Sequence, residues 1–189
     1  MSFIIRAEIG ADPWSSLHLG VSALSGATPG SVSIVVGVVL LAVSVTLLGV
    51  RVGAGTIANV LVVGPVMDVG LLVLTPAAGL VPGVLYIAAG VVIIGLSTGC
   101  YLKAAAGAGP RDGFALGLAE RTGLSIRAGR TATELTVLGI GWWLGVPPGI
   151  GTVLFAIGIG PSAQLGIRLF RSPPVTGRYS PEARLDTRR

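Results

Sequence analysis

The sequence predicts an all-α membrane protein, a helical bundle of five spans (six if the first is truncated here) in two inverted three-helix repeats with short re-entrant or interfacial helices. Three observations carry this reading: long apolar runs, a shortage of charge, and a second half that echoes the first. Of 189 residues, 52% are hydrophobic and only 11% charged, with a mean hydropathy of +0.86. Soluble domains carry roughly 25% charged residues, so a water-facing shell cannot be built from this composition. A lipid-facing shell can. The 30 glycines suit it, because small residues let spanning helices approach closely.

A spanning helix needs roughly 20 largely apolar residues. Ser31–Val50 has no charge, Thr56–Leu74 has only Asp68, and Val81–Leu102 has none. Leu124–Val146 is polar at its start and apolar after Glu134, ending in Trp142 and Trp143, a pair suited to the membrane interface. Ile150–Phe170 carries only Arg168. Residues 1–171 therefore read as one transmembrane domain, and the Pro- and Arg-rich residues 172–189 as a basic, disordered tail.

Charge sets the orientation. Val50–Gly55, Lys103–Arg130 and the tail from Arg168 together hold twelve Arg and Lys residues, while the opposite connections hold only Arg6. That bias places the tail and the Lys103–Arg130 loop in the cytoplasm of a multi-pass protein. The net charge of +5 does not point to nucleic acid, since no basic residue is set among stacking aromatics. A single cysteine, Cys100, excludes a multi-cysteine metal site, and a single histidine, His18, leaves zinc catalysis almost no ligand supply, so no metal is expected. Nothing in the sequence calls for a cofactor. No nucleophile–base pair or nucleotide motif supports an enzyme.

The chain resembles itself. Gly10–Gly26 lies over Gly107–Gly123 at an offset of 97, with six of 17 positions identical. Gly49–Pro65 lies over Gly145–Pro161 at an offset of 96, with seven of 17 identical, including G-x-G-T and Gly-Pro in both. Repeat one covers residues 1–75 and repeat two covers 80–171. Three spans per half is an odd number, so the second half enters the membrane upside down, the plan of many secondary transporters. The short pieces Ser15–Ala27 and Arg111–Gly123 cannot span. In this register Val81–Leu102 pairs with a segment that would run from before Met1 to Ile5. The expectation is therefore a start placed too late and a sixth span, roughly 15–20 residues longer than the sequence given. The alternative is a genuine five-span protein.

At G-A-D-P-W (Gly10–Trp14), G-x-G-T (Gly53–Thr56), G-P-V-M-D (Gly64–Asp68) and G-x-G-P-R-D (Gly107–Asp112), the sequence resembles the YczE/YitT-type bacterial membrane proteins. The resemblance implies a bacterial inner-membrane location and a full helix before the first motif. It implies little about activity.

Several residues stand out chemically. Asp68 lies inside a span, where a carboxylate costs roughly 2.5–3.5 kcal/mol on insertion scales. It is either a proton or cation site at a helix break or a side chain reaching the headgroups. Glu134 follows Arg130 by four residues, on one helix face. The two are either an ion pair at a helix end or a gated carboxylate at a cavity mouth. Asp12 and Asp112 read as local caps of the short helices. Alternatively the two short-helix tips meet near the midplane and bind substrate, with His18 pointing along the same segment rather than simply packed. Thr56 and Thr152 read as helix N-caps after the turn glycines Gly55 and Gly151. Asn59 is placed to hydrogen-bond a neighbouring helix or a ligand. Gly64-Pro65 and Gly160-Pro161 should kink or break their helices. Gln164 takes the place in repeat two that Asp68 holds in repeat one.

These readings point to a small secondary transporter or channel-like protein for an unknown small molecule or ion, embedded in the lipid bilayer and able to form a homodimer. The competing reading is a non-transporting regulator or scaffold that docks partners through its cytoplasmic loop and basic tail.

Overall fold

The computed structural model describes residues 1–50, 52–104, 107 and 109–170, and the regular structure among them is wholly helical. The tail 172–189, Arg51 and Ala108 lie outside the described residues, so the tail's expected disorder and cytoplasmic placement do too. The helices are α1 (Ser2–Arg6), α2 (Pro13–Ser25), α3 (Pro29–Thr46), α4 (Ala54–Val73), α5 (Leu80–Ala104), α6 (Pro110–Thr122), α7 (Ile126–Trp143) and α8 (Ile150–Phe170).

Local sequence chemistry sets the boundaries. Pro13, Pro29 and Pro110 open α2, α3 and α6 at the first helical position, where a missing N–H costs nothing. Asp12, Thr28 and Ser125 cap α2, α3 and α7 by accepting from the N–H groups of Ser15, Ser31 and Ala128. Gly26 and Gly123 end α2 and α6 in the left-handed region, at φ 72° and 71°. The span expected to reach Val50 stops at Thr46 instead. Gly49 turns at φ 68° and the Val50 N–H donates to the Ser44 carbonyl at 2.9 Å, closing the helix end despite the apolar residues that follow.

Four helices are long and apolar enough to cross a membrane among the described residues: α3, α4, α8 and the Leu80–Tyr101 part of α5. At most 28% of each such window is buried, so their apolar faces point outward, as lipid requires. The protein is thus a helical, multi-pass membrane protein. α7 occupies the fifth expected span, but its 18 residues carry Arg127, Arg130 and Glu134. α2 and α6, at 13 residues each, reach roughly 20 Å and fall short of the ~30 Å hydrocarbon core.

α5 packs along α8, α3 against α4, α2 against α7, and α6 against both α3 and α7. Glycines allow these approaches. A methyl group at Gly64 would lie 2.5 Å from the Gly30 carbonyl oxygen, and one at Gly141 2.8 Å from the Ser16 Cβ. A small core of Ile4, Ala7, Ala11, Ile87 and Val91 ties α1 and the loop after it to α5. Arg6 donates from Nε and Nη2 to the Leu71 carbonyl near the C-terminal end of α4.

Two contacts cross between the halves in matching fashion. Gly10 (φ 112°) lies against Gly149, with a methyl group at Gly10 falling 2.6 Å from the Gly149 Cα. Gly107 (φ 113°) lies against Gly53, at 2.9 Å by the same measure. Farther along, Gly20 meets Leu144 and Gly117 meets Leu48. Gly10 and Gly107, each three residues before a short helix, therefore seat on the G-x-G-T segment of the other half.

Four expectations need correction. Thr56 is the third residue of its helix, not the cap, and Thr152 holds the same place in α8. The first glycine of G-x-G-T takes the cap position, and each threonine hydroxyl reaches back to accept from Gly53 N–H (3.3 Å) or Gly149 N–H (3.1 Å). Gly55 and Gly151 are accordingly helical residues rather than turn residues. Asp112 is the third residue of α6, whose cap is Gly109, so it does not cap its own helix. Finally, Pro65 and Pro161 sit inside continuous helices rather than breaking them. Unwinding a lipid-facing helix exposes several backbone groups to hydrocarbon, whereas proline removes a single hydrogen bond.

Candidate functional site

The first turns of α2 and α6 open onto one cavity of about 490 Å³. It is lined by the charged and polar side chains of Asp12, Asn59, Tyr101, Arg111, Asp112, Arg130 and Glu134, by hydroxyls such as Ser33 and Thr133, and by apolar side chains such as Val60, Met67, Ile94 and Phe155. Three carboxylates and two guanidinium groups thus share one compartment. The N-terminal ends of two helices add partial positive charge to it.

Each charged group has a definite setting. Asp12 is 2% exposed, and its Oδ2 accepts from the Ser15 N–H at 3.2 Å. Asp112 Oδ2 accepts from the Tyr101 hydroxyl at 2.7 Å, while its Oδ1 lies 3.7 Å from Arg130 Nη1. Arg130 Nε also donates to Glu134 Oε1 at 3.0 Å, one helical turn along α7. Arg130 therefore links α6 to α7, so the ion pair read from the sequence is real but extends to a third residue. Arg111 lies over the Trp14 ring, 4.9 Å from its centroid, a cation–π contact between the two short helices.

Of the residues that stand out chemically in the sequence, Asp12, Asn59, Asp112, Arg130 and Glu134 come together around this cavity. Gly55 also lines the cavity. His18 is not among the lining residues; it is 1% exposed on α2, where burial and the nearby Arg111 push the pKa of its imidazole down to about 3. Gln164 is exposed on α8 and Gly160 faces open space. Pro161 borders an apolar cleft between α5 and α8. Trp14, Tyr101 and Arg111 line the cavity beside those five, and nothing in their residue type alone marks them. The signal for two of them lay in the repeat register, since Trp14 and Arg111 are themselves matched positions at the offset of 97.

Asp68 lies elsewhere. Its Oδ1 accepts from the Gly30 N–H at 2.7 Å and its Oδ2 from the Thr28 hydroxyl at 2.5 Å. The carboxylate of α4 thereby closes the N-terminus of α3, where free N–H groups and the helix dipole favour an anion. Replacing it should uncap α3. Asp68→Ala is expected to cost about 1–2 kcal/mol, read as a lower midpoint of thermal unfolding in detergent, with Asp68→Asn in between because its amide oxygen still accepts one bond. An unchanged midpoint in both variants would remove the capping role.

Spanning helices around a shared polar cavity define the class: a multi-pass helical membrane protein. The chain belongs to a family of unknown function, DUF6198, whose model matches residues 1–168. An uncharacterized protein of Haemophilus influenzae is 31% identical over 171 residues, covering 90% of this chain and 78% of that protein. The uncharacterized membrane protein YczE of Bacillus subtilis is 31% identical over 149 residues, covering 79% of this chain and 69% of that protein. The membership is thus of YczE type, as the motifs implied. No solved structure matches the chain.

Proposed function

We propose that the protein is a small secondary transporter or channel-like protein of the bacterial inner membrane, with a solute pathway through the cavity between α2 and α6. The observation that carries this reading is the contact of Arg111 with Trp14. Matched positions of two repeats touch each other when a two-fold axis passes between them. Substrate sites of inverted-repeat transporters lie at such a repeat interface, where helix ends point into a polar space. The crossed seating of Gly10 on Gly149 and Gly107 on Gly53 supports the same symmetry. The positive-inside count supports a cytoplasmic C-terminus, with α7 as a fifth span. Charges of both signs in the cavity suit a small polar or ionic solute, and a second copy of the chain is a natural partner for so narrow a bundle.

Reconstitution into liposomes tests this. Solid-supported-membrane currents should appear with at least one member of panels of amino acids, organic amines, organic acids and inorganic ions. Deleting residues 172–189 should leave those currents unchanged. No current with any panel, together with loss of a cellular phenotype on tail deletion, would favour the docking protein instead.

A further inference from the structure

Four side-chain atoms on α2 and its cap have no hydrogen-bond partner among the described residues: Asp12 Oδ1, Ser15 Oγ, Ser16 Oγ and His18 Nδ1. Their residues are 2%, 0%, 0% and 1% exposed. They form one patch, because residues three and four apart on a helix are neighbours: Ser15 and Ser16 follow the Asp12 cap by one turn, and His18 follows Ser15 by another. An unsatisfied buried polar group costs roughly 1–3 kcal/mol, and native proteins hold only a few per 100 residues. Four on a single 13-residue helix and its cap need a cause.

Packing is not that cause. At the offset of 97, the positions of Asp12, Ser15, Ser16 and His18 correspond to Gly109, Asp112, Gly113 and Ala115. α6 buries Gly113 and Ala115 without any polar atom, and its Asp112 is satisfied by Tyr101 and Arg130. A short helix in this fold is accommodated by small residues. The polar face of α2 answers to something that binds there.

The chemistry and the room available identify the ligand class. It must donate to a carboxylate oxygen and exchange hydrogen bonds with two hydroxyls and an imidazole, spread over roughly 9 Å of helix. It must also be small, since Ser16 lies directly against α7 at Gly141, where an added methyl group would sit 2.8 Å from the Ser16 Cβ. Water meets both demands: buried waters typically make about three hydrogen bonds to groups otherwise unsatisfied. Of the four, Asp12 also lines the cavity, so one end of the patch lies at it. We propose that the buried face of α2 binds a file of internal water molecules, running from the Asp12 carboxylate past Ser15 and Ser16 to His18, as a hydrated branch of the central cavity.

X-ray hydroxyl-radical footprinting of the full chain in nanodiscs tests this, because radicals made from water within milliseconds mark only side chains beside water. His18 is the single histidine, so its oxidation is assigned without ambiguity. It should be modified in the native protein at a rate within about tenfold of that in the SDS-denatured protein, because water already touches it. A His18 that is oxidised only after denaturation overturns the proposal. Ser16→Ala supplies a second reading, since alanine keeps the Cβ that packs on α7. A hydroxyl bonded to water is lost at a cost, and the unfolding midpoint falls. A dry, orphaned hydroxyl is better removed, and a midpoint that rises overturns the proposal. Neither readout depends on transport, so a dry α2 leaves the transport reading standing, and absent flux leaves the hydrated branch standing.

Discussion

Gly10→Ala is expected to abolish the folded protein. The position has φ 112°, a region closed to side chains, and a methyl group there would fall 2.6 Å from the Gly149 Cα and 2.7 Å from its nitrogen. The obstacle is backbone, so no rotamer change relieves it. The loop must lift from α8, and that breaks the Gly151 N–H bond to the Ile9 carbonyl and the Thr152 hydroxyl bond to the Ala11 carbonyl, both 2.7 Å. Overpacking at roughly 1–3 kcal/mol, backbone strain at about 1–3, and two buried hydrogen bonds at about 1 each total roughly 4–8 kcal/mol. A domain is typically stable by about 5–15 kcal/mol, so the loss is of the order of the whole. Gly107→Ala should behave alike, because Gly107 seats on Gly53 in the same way. Gly139→Ala is the control: nothing lies within 4 Å of an added methyl group on α7, and alanine favours the helix. Fluorescence-detected size exclusion in detergent reads all three. A monodisperse Gly10→Ala with the parental unfolding midpoint would show that the two halves do not cross at this point.

How far the sequence could be read follows from the range of each interaction. Apolar runs and local caps act within a few residues, which is why the helices and the Asp12 cap were legible. α3 ended early for a local reason too, the glycine at position 49, but the apolar run through Val50 concealed it. Asp68 was out of reach. Its partners are Thr28 and Gly30, some forty residues away, and only the packing of α4 on α3 brings them together. A carboxylate in a span reads as functional when its partner is unknown, and here the partner is the free end of another helix. Arg111 failed for a different reason. Counted among the cations of a loop it informs topology alone, whereas its place over Trp14 depends on two short helices meeting tip to tip.

That meeting sets the second large effect: Asp12→Asn and Arg111→Gln should each cut solute-driven current by about 30-fold or more. Arg111 is half-buried, rests on Trp14, and forms no ion pair among the described residues. Its Nη2 donates to the Met1 Sδ at 3.7 Å, and this weak thioether acceptor leaves the guanidinium charge unpaired and open to a ligand's anionic or acceptor groups in the cavity it lines. Asp12 offers Oδ1 for a donor while Oδ2 holds the α2 N-terminus. Asparagine can keep the Oδ2 bond through its amide oxygen, so Asp12→Asn removes the charge and spares the fold. Losing one member of a desolvated charge contact costs about 2 kcal/mol or more, and 1.4 kcal/mol is a factor of about ten. Arg111→Lys should recover little, because an ammonium neither stacks on indole as a plane nor presents a paired donor fork. Unfolding midpoints measured on the same samples separate loss of function from loss of fold. Full current in Asp12→Asn and Arg111→Gln, with loss confined to Asp68→Asn at an unchanged midpoint, would move the pathway away from the short-helix tips and onto α4.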